Sequence, residues 1–128
     1  MELTAIVTIL ALIEYIVLGA RVGQARGRYG VEAPATTGHP VFERYFRVHQ
    51  NTLEQLVVFV PALWLFAYYV SNRVAALLGL VFIVARVLYA RGYVADPKQR
   101  ETGALVTVVA NAVLLLGGLL GAFVHLFR

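Results

Sequence analysis

Four long apolar runs, separated by short polar breaks, dominate this chain. They lie at about Leu3–Ala20, Leu53–Val70, Val74–Ala90 and Gly103–Phe127. Each is close to the roughly 20 residues that a helix needs to cross a bilayer core. The second run is preceded by polar turns, from Phe42 to Asn51, that continue into it without a breaker. The widest break, residues 28–42, is rich in Gly, Pro and Thr and reads as irregular. Asn72-Arg73 reads as a tight second connection, and Asp96-Pro97 as a turn between the third and fourth runs.

Composition supports the same class. Of 128 residues, 60% are hydrophobic, and the mean hydropathy is +0.76. Few soluble domains are so apolar. The spans leave little chain for anything else, so residues 1–128 read as one all-α integral membrane domain, a bundle of four transmembrane helices. The first run follows Glu2 and has no preceding Lys or Arg, unlike a signal peptide, which starts basic.

The net charge of +4 is distributed unevenly. Arg21, Arg26, Arg28, Arg44, Arg47, Arg91, Lys98 and Arg100 fall at the first and third breaks, and only Arg73 and Arg128 fall on the other side. The positive-inside rule then puts loops one and three in the cytosol and both termini opposite. No basic stretch is long enough to serve as a nucleic-acid-binding arm. There is no cysteine, which excludes disulfides, a protein thiol nucleophile and Cys-ligated metals. His39, His49 and His125 lack metal-ligand spacing.

Two polar clusters run into the apolar spans. Arg47, Asn51 and Glu54 stand at i, i+4 and i+7, on one helical face. Charged and amide groups inside a membrane helix are costly and point to function. Guanidinium, amide and carboxylate together suit a small zwitterion. Arg86, Tyr89 and Tyr93 share a face of the third helix, with Arg100 in the following loop. Tyrosines also belong to membrane interface belts, and Arg86 is near enough to its helix end to snorkel to the headgroups. Glu14 lies alone in the first apolar run and needs either a proton or a partner, for which Arg86 and Asn111 are candidates. Pro61 sits inside the second span, where a kink is expected. Gly117 and Gly121 form a GxxxG pair that permits close helix packing.

These motifs resemble the MAPEG family (membrane-associated proteins in eicosanoid and glutathione metabolism), in the branch of the microsomal glutathione transferases, leukotriene C4 synthase and the non-enzymatic 5-lipoxygenase-activating protein. The residues carrying the resemblance are Thr36-Thr37-Gly38-His39-Pro40-Val41-Phe42-Glu43-Arg44 with Arg47, Asn51 and Glu54, and Ala85-Arg86-Val87-Leu88-Tyr89-Ala90-Arg91-Gly92-Tyr93 with Arg100. The resemblance covers nearly the whole chain. It implies a homotrimer that binds glutathione between neighbouring protomers near the cytosolic face.

By that resemblance Arg26, Arg47, Asn51, Glu54, Tyr89 and Tyr93 bind glutathione. His49, where relatives often carry Gln, joins them. Arg100 activates the thiol and Tyr93 assists. No metal is implied. The partners implied are membrane lipids and a lipophilic electrophile or lipid hydroperoxide. Many Ala, Val and Arg with a single Lys suggest a bacterial genome, hence an inner membrane. A non-catalytic lipid-binding scaffold of the same fold, and an unrelated small transporter, are the competing readings.

The chemistry of an arginine-held thiolate follows from general principles. A free thiol with a pKa of about 8.5 is about 3% thiolate at pH 7, and the thiolate is the nucleophile. A neighbouring positive charge lowers that pKa by roughly 1–3 units. Arginine suits the task because it stays protonated and only donates.

Overall fold

The computed structural model describes all 128 residues. The chain forms α1 (Glu2–Tyr29), α2 (Pro40–Tyr69), α3 (Asn72–Ala95), a single 3₁₀ turn (Pro97–Arg100) and α4 (Glu101–Leu126). All four helices are long and apolar enough to cross a membrane. At 28, 30, 24 and 26 residues they measure about 36–45 Å, more than the roughly 30 Å hydrocarbon core. The excess is polar. The helical geometry of α1 continues through Arg21, Arg26 and Arg28, and α2 begins with the turns that carry Glu43, Arg44 and Arg47.

Four of the element ends have an identifiable cause. Gly30 takes the left-handed conformation (φ 67°) that closes α1, and its N–H donates to the Arg26 carbonyl. His39 caps α2, its Nδ1 accepting from the Val41 N–H, with Pro40 in the first turn. Ser71 caps α3 by accepting from the Val74 N–H. The second connection is therefore Val70-Ser71, and Asn72-Arg73, the expected turn, starts α3 instead. Asn72 holds α1, its Oδ1 accepting from the Thr4 hydroxyl at 2.6 Å. Asp96 caps the 3₁₀ turn. α2 runs through Pro61 without interruption.

The main core joins all four helices around Val7, Phe59, Leu63, Phe82 and Leu114. Phe59 and Phe82 stack with ring centroids 3.8 Å apart. A second, smaller core of Val22, Ala25, Val31 and Phe42 fastens the end of α1 and the first loop to α2. Most other large apolar side chains are exposed, as a lipid-facing surface requires. Gly117 and Gly121 serve packing within the chain: a Cβ at the first would strike the Phe66 ring, and at the second Tyr69.

Candidate functional site

Arg86 organises the polar half of the bundle. It is 1% exposed, so it does not snorkel. Its Nε and Nη2 donate to the Thr52 hydroxyl at 3.3 and 2.9 Å, Nη1 to the Thr107 hydroxyl at 3.4 Å, and Nη2 also to Asn51 Oδ1 at 2.7 Å. Its guanidinium lies 4.2 Å from the Tyr89 ring centroid. Thr52 and Thr107 pass their own protons to the Val48 and Gly103 carbonyls one turn back. One side chain thus ties α2, α3 and α4 together. Sequence reading missed both threonines, which are ordinary residues within apolar runs on other helices.

This junction orients Asn51. Arginine only donates, so the amide oxygen must face Arg86. The Nδ2 donor is left without a protein partner, free for a ligand on the face it shares with Arg47 and Glu54. Arg47 and Glu54 are exposed, whereas Asn51 is half-buried.

Arg100 ends the 3₁₀ turn and is exposed. One Nη1 bond to the Pro97 carbonyl, 2.6 Å, steadies it, and its guanidinium lies 5.6 Å from the Tyr93 ring centroid. Tyr93 in turn packs on Tyr89, centroids 5.7 Å apart. Two glycines allow the turn to sit there. A Cβ at Gly92 would collide with the Gln99 carbonyl, and one at Gly103 with the Tyr89 backbone. The Arg44 guanidinium adds a bond to the Val94 carbonyl at 3.1 Å, fixing the start of α2 against the end of α3.

Two of the residues implied by the sequence resemblance stand elsewhere in the protomer. Arg26 is at the end of α1, with Nη1 donating to the Ala35 carbonyl at 2.7 Å and its guanidinium 4.9 Å from the Phe42 centroid. His49 stacks on Tyr15 of α1, centroids 4.3 Å apart. At 100° per residue His49 lies about 200° around α2 from Arg47. The set therefore divides into an α2–α3 group (Arg47, Asn51, Tyr89, Tyr93, Arg100, with Glu54 further along the same α2 face) and an α1-side group (Arg26, His49).

Glu14 pairs with neither expected partner. Both carboxylate oxygens are buried without a hydrogen bond. Arg86 makes its four hydrogen bonds to Asn51, Thr52 and Thr107 and none to Glu14, and the Asn111 amide donates to Gln55 at 3.2 Å. Trp64 joins α1 to α2, its Nε1 donating to the Thr8 hydroxyl at 3.0 Å. No group of His, Asp and Glu is arranged to hold a metal ion.

Comparisons with known proteins agree with the sequence motifs. The MAPEG family model matches residues 4–120. An uncharacterised protein of Synechocystis is 47% identical over 91% of this chain and 85% of its own length. Human microsomal glutathione S-transferase 2 is 41% identical over 93% of this chain and 81% of its own length. Bovine leukotriene C4 synthase is 33% identical, covering 96% and 82%. With four membrane-length helices and a match across nearly its full length, this chain is an integral membrane protein that belongs to the MAPEG family.

Proposed function

We propose that this protein is a membrane-bound glutathione transferase that attacks lipophilic electrophiles, and also reduces lipid hydroperoxides, through a glutathione thiolate held by Arg100. The observation that carries this reading is the state of Arg100: exposed, steadied by one backbone bond, and set over Tyr93, which packs on Tyr89. Most of its donors remain available to a ligand. The names of the human and bovine relatives support glutathione as co-substrate.

Each residue has a role that follows from its chemistry. Arg47 and Arg26 bind glutathione carboxylates, Glu54 its ammonium, and Asn51 and Tyr89 its amides. His49 takes the position of an amide donor. Arg100 stabilises the sulfur anion and Tyr93 hydrogen-bonds beside it. The division of the set between two sides of the protomer favours a site between copies. Arg26 and His49 come from one protomer and the Arg47–Arg100 group from its neighbour, in a homotrimer.

With an electrophile, the thiolate forms a carbon–sulfur bond as the leaving group departs or a strained ring opens. With a hydroperoxide, it attacks the terminal oxygen. The O–O bond breaks, the lipid leaves as an alcohol, and a second glutathione converts the sulfenic acid to disulfide and water. The apolar substrate enters from the bilayer. The basic ends of α1, α2 and α3 support a site at the cytosolic face, with the termini opposite, and the Synechocystis relative favours a bacterial inner membrane.

The test is turnover of glutathione by the purified protein with a lipophilic aryl halide and, separately, a fatty-acid hydroperoxide. Arg100→Ala is expected to slow both by about eightfold to thirtyfold near pH 7, the fall in thiolate fraction that losing a 1–3 unit shift represents. Glutathione binding with no turnover of either substrate would give the scaffold reading instead.

A further inference from the structure

The flank between α1 and α3 carries a groove that uses none of the residues assigned to glutathione. Its volume is about 480 Å³, within the range of small-molecule sites. Val17 and Val87 are among its apolar walls, Glu14 and Arg86 lie deep in it, and Arg21 and Arg91 line its polar end. Arg21 and Arg91 are exposed, and neither is paired with an acid, the sole ion pair in the protein being Met1–Glu2. Deeper in, both Glu14 oxygens are buried without a donor. A buried acceptor left unserved is costly, and the adjacent Arg86 is occupied by Asn51, Thr52 and Thr107.

These features define an occupant with an anionic end, an apolar body and a hydrogen-bond donor partway along it. Glu14 and Arg21 are seven residues apart, about 10 Å of helix, which puts the donor near the middle of a long acyl chain. An unsubstituted lipid tail would leave Glu14 unserved, and a cationic amphiphile would meet two arginines. We propose that the α1–α3 groove binds a hydroxylated long-chain fatty acid, its carboxylate on Arg21 and Arg91 and its mid-chain hydroxyl donating to Glu14. Such an acid is what reduction of a fatty-acid hydroperoxide releases. The groove's recognition stands on its own residues, and its test involves no glutathione.

The experiment measures binding of three probes to the full-length protein in detergent: a mid-chain hydroxystearic acid, stearic acid, and the hydroxy acid's methyl ester. The hydroxy acid is expected to bind once per protomer, about tenfold tighter than stearic acid, as one hydrogen bond to a carboxylate implies. Glu14→Leu should abolish that preference and keep the preference for acid over ester. Arg21→Ala with Arg91→Ala should do the reverse. Because the two preferences are read separately, and unfolding temperature is checked for each variant, misfolding is distinguishable from lost recognition. Equal binding of the hydroxy acid and stearic acid by wild type would overturn the proposal. So would a Glu14→Leu variant that keeps the preference, or one whose only change is the mass of the assembly, which would give Glu14 a partner on another copy.

Discussion

Two arginines of one protein, Arg86 and Arg100, stand in opposite circumstances. Arg86 is 1% exposed and bonded on three sides to Asn51, Thr52 and Thr107. Arg100 is exposed and bonded to one backbone carbonyl. Burial of a guanidinium is tolerable only when its donors are satisfied, and a satisfied guanidinium has little left for a ligand. Arg86 therefore belongs to the architecture and Arg100 is left free for the chemistry proposed for it, although each lies over one ring of the same packed tyrosine pair. The difference teaches that charge in a membrane helix marks function only after its donors have been counted.

Substitutions can break or sharpen this contrast. The largest effect is expected for Arg86→Met. It empties the junction and strands the acceptors on Asn51, Thr52 and Thr107. A loss of about 2–5 kcal/mol of stability follows, from cavity and unsatisfied groups together, read as a lowered unfolding temperature in detergent. Because Asn51 loses its orienting partner, glutathione affinity should fall as well. Next is Gly103→Ala. Its methyl group meets the backbone of Tyr89, which cannot yield as a side chain would, so about 1–3 kcal/mol is expected. The shifted turn should lower turnover more than it lowers glutathione binding. Smallest is Thr107→Val, which removes one of the four hydrogen bonds to Arg86 and should cost about 1 kcal/mol, with turnover unchanged. A Thr107→Val variant as damaged as Arg86→Met would mean that the junction has no redundancy.

The four spans are legible from the apolar runs alone, because lipid permits only self-satisfied helices. Their true ends are less so. α1 runs nine residues past Ala20, since Arg and Gln are good helix formers that carry no apolar signal, and α2 begins at Pro40, two residues ahead of the polar turns expected from Phe42. The Arg47–Asn51–Glu54 and Arg86–Tyr89–Tyr93 faces were legible because helical spacing reports on one helix at a time. What spans helices was not. Thr52 and Thr107 meet Arg86 across 34 and 21 residues, and no periodicity records that. The separation of His49 from Arg47 was available in the 100° step, and the family pattern, which groups residues by role, hid it. Glu14 announced itself by its isolation, but neither guessed partner holds it.

The most direct measurement is the ultraviolet absorbance of glutathione thiolate on the purified protein near neutral pH, for wild type and Arg100→Ala. Wild type should show a saturable thiolate signal, with the thiol titrating about 1–3 units below its free value of about 8.5. Arg100→Ala should bind glutathione, unfold within about 0.5 kcal/mol of wild type as an exposed substitution does, and show no thiolate beyond the few per cent of the free thiol at the same pH. An undiminished signal in Arg100→Ala, or none in a wild type that binds glutathione, would contradict the assignment of thiol activation to Arg100.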